Sequence, residues 1–305
     1  MNTNKTVLTA AFAYIEMEVS IMKKLRVCTG VIPRFKSDDV TENIRLGFDF
    51  QKKMGFEALD FELNRYTHLL GEGVKAATEF ALEYSQKIGL PIEICHLPFR
   101  TDAQGEPDDH FFTRMYHAID CAKMLGVSCA AIHPDSSALP VEGYDIRKQH
   151  ERSIRLLTPS VEYANKNGVQ LAVENMRPLF LEVPTHRYCQ TAEELCAVAD
   201  EMGIGVCWDF GHANIAALQQ SEALTYVGKR LKLIHINDNH GIQDVHLLPW
   251  TGTVDWADAM KGLAATGYDG PFNFELSSHR VPLEMCETFA TYVLQSSEKL
   301  QALMD

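Results

Sequence analysis

The chain has 305 residues, 46% of them apolar and 23% charged, the balance of a folded globular protein with a sizeable core. A formal net charge of −13 argues against a nucleic-acid partner, because affinity for a phosphate backbone comes from Lys and Arg displacing counterions; a small polar or neutral ligand suits it better. Eight cysteines (Cys28, Cys95, Cys121, Cys129, Cys189, Cys196, Cys207 and Cys286) are scattered through apolar runs with no CxxC pair, and they read as reduced core residues of a cytoplasmic protein.

The chain opens on an apolar run, Val7 to Ile15, that is too short to span a bilayer, so no membrane anchor is expected there. No clear small-residue cleavage site follows it, which makes it a weak secretory signal. Met22, directly ahead of a strand-like run, is a second candidate start. Residues 1–24 are therefore treated as an N-terminal extension of one barrel domain that covers the chain.

From Leu25 onward, short runs rich in β-branched residues alternate with longer stretches of helical period, the pattern of repeated βα units and a parallel sheet. Strands are expected at Leu25 to Thr29, Ala58 to Leu63, Ile92 to His96, Cys129 to His133, Gln170 to Glu174, Gly205 to Asp209, Leu231 to Ile236 and Phe272 to Glu275. Helices are expected at Val40 to Met54, Gly73 to Lys87, Phe111 to Leu125, Arg147 to Asn167, Ala192 to Glu201, Asp255 to Ala265 and Leu283 to Leu303. Gly55, Gly89, Gly126, Gly168, Gly203 and Gly267 stand where those helices should stop. Eight strands fit an α/β (β/α)₈ TIM barrel, which needs about 250 residues. The first βα turn, CTGVIPRF, lacks the glycine-rich fingerprint of an open dinucleotide-binding sheet.

Barrel chemistry gathers at the carboxyl ends of strands, and nearly every strand here ends in an ionisable residue: Glu62, His96, His133, Glu174, Asp209 with His212, His235 with Asp238, and Glu275. Carboxylates beside buried runs need a cation, and Lys and Arg are scarce at these positions, so Glu174, Asp209, His235 and Glu275 are expected to share a divalent metal. Three carboxylates and one imidazole make a hard donor set that favours Mg²⁺, Mn²⁺ or Co²⁺, with Zn²⁺ also compatible. Asp244 and His246, two apart in an extended loop, suit either a second metal site or a substrate clamp; equally, Asp244 could simply orient His246. His212, three residues after Asp209, is expected to bond the metal ligand or the substrate.

The segments HLPF at His96, HPD at His133, VEN at Glu174, WDFGHA at Asp209, HINDN at His235, DVHLLPWTGTVDW from Asp244 and FNFEL at Glu275, in that order, resemble the xylose isomerase-like barrels, specifically the sugar phosphate isomerase/epimerase group that shares its fold with endonuclease IV. The resemblance runs from about Leu25 to the end. It implies an isomerase or epimerase of a small sugar or sugar phosphate, with Glu174, Asp209, His235 and Glu275 on one metal. Glu174 and Glu275 would exchange protons on opposite faces of a cis-enediolate. His96, His133, His212, Asp244 and His246 would contact the substrate, and Trp250, where the family often has glycine, would narrow the pocket or stack on a sugar. HINDNHGIQ lacks an arginine that several epimerases of the group place there. An endonuclease IV-like zinc phosphodiesterase is the second reading, since all its ligand types have counterparts; a dehydratase or lyase of keto-inositols or 3-keto-glycosides is a third. The resemblance also suits a homo-oligomer.

Overall fold

The computed structural model of the chain describes residues 24–30, 32, 39–69, 71–100, 109–135, 137–180 and 182–305. All but the last residue of the N-terminal extension considered above lies outside the described residues. The elements run β1 (Val27–Thr29), α1 (Val40–Met54), β2 (Ala58–Glu62), α2 (Glu72–Ile88), β3 (Ile92–His96), α3 (Asp109–Leu125), β4 (Cys129–Ile132), β5 (Ala138–Pro140), α4 (Ile146–Asn167) and β6 (Leu171–Glu174). They continue with β7 (Thr185–Arg187), α5 (Ala192–Met202), β8 (Gly205–Asp209), α6 (Phe210–Ile215), α7 (Gln220–Val227), β9 (Leu231–His235), α8 (Trp256–Thr266), β10 (Phe272–Phe274) and α9 (Cys286–Ala302).

Eight strands form one parallel sheet in the order β10-β1-β2-β3-β4-β6-β8-β9. Beyond β9 and β10 the sheet closes on itself: Ile236 N donates to Asn273 O at 2.8 Å and Glu275 N donates to Ile236 O at 3.1 Å. This is the expected (β/α)₈ barrel.

Successive strand side chains point to opposite faces, and the core divides accordingly. Phe61, Ile132, Val173, Trp208, Ile234, Phe272 and Phe274 belong to the large apolar cluster shared with the helices. Cys28, Ala58, Ile94, Cys129, Ala131, Ala172, Cys207 and Leu233 form a separate buried cluster, which fills the inside of the barrel. Two residues further along the strands, the same alternation delivers Asp60, His96, His133, Glu174, Asp209, His235 and Glu275 to the carboxyl-terminal end of that interior. The site is thus a consequence of register.

The six glycines expected to end helices all have positive φ, between +63° and +97°. Asp39, Asp145, Thr191 and Asp255 cap the starts of α1, α4, α5 and α8 through their side chains. No helix among the described residues is long and apolar enough to cross a membrane, and all eight cysteines are free and buried.

Four elements depart from the sequence reading. The antiparallel pair β5 and β7 forms a two-stranded ribbon outside the barrel sheet, and α6 and α7, absent from the helices expected above, fill the β8-to-β9 connection. Strands of three residues and helices of six and eight are too short for a periodic signal. At the C-terminus, Leu283–Met285 is a 3₁₀ turn, so the last helix starts at Cys286.

Six of the eight residues of the inner cluster are alanine or cysteine, and all are buried, so enlarging one should be felt. Ala131→Leu should destabilise the protein by about 1–3 kcal/mol in denaturant unfolding; an unchanged midpoint and slope would mean the interior has spare volume.

Candidate active site

Glu174, Asp209 and His235 are the last residues of β6, β8 and β9, and Glu275 directly follows β10. One donor atom from each lies within 4.8 Å of the other three. Glu174, Asp209 and His235 are essentially inaccessible, while Glu275 reaches the rim. His235 Nδ1 sits 3.1 Å from Glu275 Oε2 and 3.4 Å from Glu174 Oε2, near enough for charge pairing. It is misaligned for hydrogen bonding, and the buried nitrogen has no hydrogen-bond partner. A nitrogen aimed into carboxylates without bonding any of them is placed as a lone pair toward a cation would be, and three carboxylates with one imidazole suit a hard divalent ion.

Three further histidines share one construction. His96 Nδ1 donates to Leu97 O at 2.7 Å, His212 Nδ1 to Asn175 O at 2.8 Å and His246 Nδ1 to Glu275 O at 2.9 Å. A carbonyl can only accept, so each Nδ1 carries a hydrogen and each Nε2 turns to a carboxylate: Glu174 Oε2 at 3.2 Å for His96, Asp244 Oδ2 at 3.1 Å for His212 and Asp244 Oδ1 at 3.2 Å for His246. His133 Nε2 lies 3.3 Å from Glu174 Oε2. Phe99 stacks on His133 with centroids 4.4 Å apart and meets His96 edge-on at 5.3 Å.

Asparagines fix the acids. Asn175 receives Asp209 N on its Oδ1 at 2.6 Å and returns Nδ2 to Asp209 O at 3.0 Å, tying β6 to β8. Asn237 Nδ2 donates to Asp209 Oδ2 at 2.7 Å, and the other oxygen accepts from His212 N at 2.6 Å. Gly211 is needed here for space, because a Cβ at that position would stand 1.9 Å from Asn237 Oδ1. Asp238 does not enter the site: its carboxylate accepts from Asn239 N, Val254 N and Trp256 Nε1 and so anchors the long loop after β9.

Charge in the cluster is mutual. Burial alone would raise Glu174, but the imidazoles of His235 and His133 outweigh it and hold the carboxylate well below its usual range. Glu275 and Asp244 are likewise lowered against burial, chiefly by His235 for the first and by His212 and His246 for the second. Asp209 is pushed up to about 6, first by burial and then by neighbouring carboxylates, against the pull of His212. His246 is raised to about 10: burial opposes its charge, and Asp244 and Glu275 favour it more strongly.

Of the residues singled out in the sequence, His96, His133, Glu174, His212, Asp244, His246 and Glu275 line a common cavity of about 510 Å³, and Asp209 and His235 adjoin it through the four-donor cluster they share with Glu174 and Glu275. Trp250 is not part of that lining. The backbone turns at Trp250 with φ +63°, and the ring, 43% exposed, faces Trp256 at 6.3 Å instead of a sugar site. Glu62 pairs with Arg65, and Asp60 accepts from Asn273 Nδ2 at 2.9 Å, so the β2 acids stand outside the four-donor cluster. Sequence reasoning missed Arg100, Arg177 and Arg187, which complete the cavity wall with Phe99 and Met176. None of these arginines ends a barrel strand, so the strand-end rule passes over them. Asn175 and Asn237 lay within the VEN and HINDN segments without being singled out.

The chain belongs to the xylose isomerase-like TIM barrel family, whose model matches residues 48–302. It is 31% identical over 168 residues to the uncharacterized protein y4fM of Sinorhizobium fredii, covering 54% of this chain and 52% of that one. It is 28% identical over 153 residues to the fructoselysine 3-epimerase of Escherichia coli O157:H7, covering 48% and 51%. The matched region thus spans about half the length of these relatives. Among solved structures, the 3-keto-D-glucoside 4-epimerase YcjR of E. coli has the same fold, with a TM-score of 0.68 over 90% of this chain and 100% of that one at 16% identity.

His235 is raised well above an ordinary imidazole against the effect of burial, with Cys207, Glu275 and Glu174 the groups favouring its charge. In metal-free protein the neighbouring acids thus favour a proton on the ring, and an entering cation competes with that proton. Adding Mn²⁺ to the stripped protein should release protons into weak buffer, and affinity should fall about tenfold per pH unit for each proton displaced as pH is lowered from 8 to 6. A pH-independent affinity over that range would show that the imidazole is already neutral.

Proposed function

We propose that the protein is a divalent-metal-dependent isomerase or epimerase of a small sugar or sugar derivative, working by proton transfer through a cis-enediolate. The observation that carries this reading is the convergence of Glu174 and Glu275 on His235 Nδ1 within one four-donor cluster, beside a cavity that both glutamates line. Epimerisation needs two groups able to take and return a proton at one carbon. Glu174 and Glu275 are both held deprotonated by their histidine neighbours and so start as bases. Glu174, Asp209, His235 and Glu275 would hold the ion, which when bound supplies positive charge that polarises a carbonyl and its neighbouring hydroxyl and makes the C–H between them more acidic.

The other residues position and enclose the substrate. His96, His133, His212 and His246 present ring nitrogens around the cavity at heights set by backbone carbonyls or packing, suited to holding sugar hydroxyls. Phe99 packs against the rings of His133 and His96. The names of the similar proteins, a fructoselysine 3-epimerase and a 3-keto-D-glucoside 4-epimerase, support the same chemistry at a carbon next to a carbonyl. The acidic net charge does not favour a nucleic-acid substrate.

A second reading concerns metal number, and one observation favours it. His96, His133 and Glu174 form a further three-donor group within 4.8 Å, and His212 and His246 both address Asp244. More than one ion per chain would point to hydrolytic chemistry.

Metal-loaded protein incubated in D₂O with a panel of ketoses should exchange the hydrogen next to the carbonyl, read by NMR, and a chelator should abolish it. Glu174→Gln and Glu275→Gln should each slow exchange by about 10²–10⁴-fold; exchange at the wild-type rate in either would remove the acid–base assignment. Elemental analysis should return one divalent ion per chain, and about three zinc ions would replace the epimerase reading with the hydrolase.

A further inference from the structure

The barrel interior holds a metal-ligating side chain that the proposed mechanism does not use. Cys207 precedes Asp209 by two residues on β8, so alternation turns both side chains toward the barrel axis. Strand register then sets the neighbours of the thiol. Glu174 on β6 pairs with Cys207, and on the other side of β8 Asp209 pairs with His235 of β9. Donor atoms of Glu174, Cys207 and His235 consequently lie within 4.8 Å of one another, and none of the three residues is more than 1% exposed.

Two features separate Cys207 from a thiol that only fills the core. First, among the described residues no other cysteine belongs to a group of three such donors. Cys28, in the same interior cluster, is engaged elsewhere and donates its Sγ hydrogen to Asn273 Oδ1 at 3.3 Å. Second, the imidazole beside Cys207 has capacity to bind, because His235 Nδ1 is buried without a hydrogen-bond partner.

The two donor sets that meet at Glu174 and His235 differ in kind. One offers three carboxylates and an imidazole; the other offers one carboxylate, one imidazole and one sulfur. Carboxylates suit Mg²⁺ and Mn²⁺, whereas a thiolate selects softer ions. A thiol binds a metal only on losing its proton: the sulfur–hydrogen bond breaks, a sulfur–metal bond forms, and the proton leaves to solvent. A hard ion gains little from that exchange, and a thiophilic ion gains a strong bond.

From this geometry we infer that Glu174, Cys207 and His235 form a second, sulfur-containing site for a thiophilic divalent ion, Zn²⁺ or Cd²⁺, one step deeper on the barrel axis than the four-donor cluster. Both sets need Glu174 and His235, so a thiophilic ion at the deeper site excludes a hard ion from the upper one. The exclusion rests on the metal-dependent reading above; the sulfur site does not.

The test uses Cd²⁺ and the full-length protein stripped of metal. In wild type, Cd²⁺ should produce the ultraviolet sulfur-to-cadmium charge-transfer band and saturate it at one ion per chain. Cys207→Ser, first shown to melt cooperatively, should lack the band and bind Cd²⁺ about tenfold or more weakly. If C207S does not fold, C207A, which matches the alanines of the same interior cluster, is expected to behave identically. No band in wild type, or a band of wild-type size in the variant, overturns the inference. In a second experiment Cd²⁺ is added to Mn²⁺-loaded protein, and free Mn²⁺, read by its EPR signal, should appear in step with the band. Mn²⁺ that stays bound while the band grows overturns the shared use of Glu174 and His235 and the inference with it. Failure of the stripped protein to bind Mn²⁺ at all would defeat the four-donor reading, and the cadmium band would then decide the sulfur site by itself.

Discussion

Glu174 is a carboxylate with 1% exposure at the axis of a barrel, and the surrounding chemistry follows from keeping its charge there. Removing such an ion from water costs several kcal/mol unless cations or donors replace the lost hydration. Four histidines surround it, with nitrogens of His96, His133, His212 and His235 between 3.2 and 3.4 Å from its two oxygens. Those histidines, buried in turn, need anions of their own. Asp209, Asp244 and Glu275 form that next ring, and Arg177 joins it through Asp244. The result is an alternating lattice of charge in which removing one member leaves its neighbours buried and unpaired.

The barrel makes the lattice possible. A sheet closed on itself pairs its strands all the way round, and its two-residue alternation places seven ionisable groups on one end of the same interior. Loops then add what strands cannot. The connection after β9 brings Asp244 and His246 back over the site, held there by the Asp238 carboxylate and by Ser277 N donating to His246 O at 3.1 Å. His246 itself adopts φ +47°, a conformation that a non-glycine residue holds only when its surroundings enforce it.

Preorganisation is the functional consequence. Acids kept deprotonated and imidazoles locked by backbone carbonyls do not have to reorganise when charge develops on a substrate, which is where enclosed sites gain most. A barrel of this kind can host different chemistries through its βα loops while the scaffold stays the same. Here Arg177 from the loop after β6 and Arg187 from the ribbon reach the cavity wall.

Eight strand positions and the six helix-ending glycines were legible in the chain because period, strand propensity and punctuation are local properties. So was the ring of acids and histidines, since a polar residue closing an apolar run marks the open end of a barrel strand. Trp250 misled because a residue's side in a loop depends on one backbone angle that sequence does not reveal. Arg187 was invisible because a three-residue ribbon strand has no period, and Asp238 looked like a site residue although it braces a loop. Sequence alone determined the barrel and most of the ionisable groups that meet at its mouth, because alternation along a strand dictates facing. Tertiary structure decided which loop cations join them, which nitrogen of each histidine faces the carboxylates and which acids serve only as braces, because those depend on contacts between segments far apart in the chain.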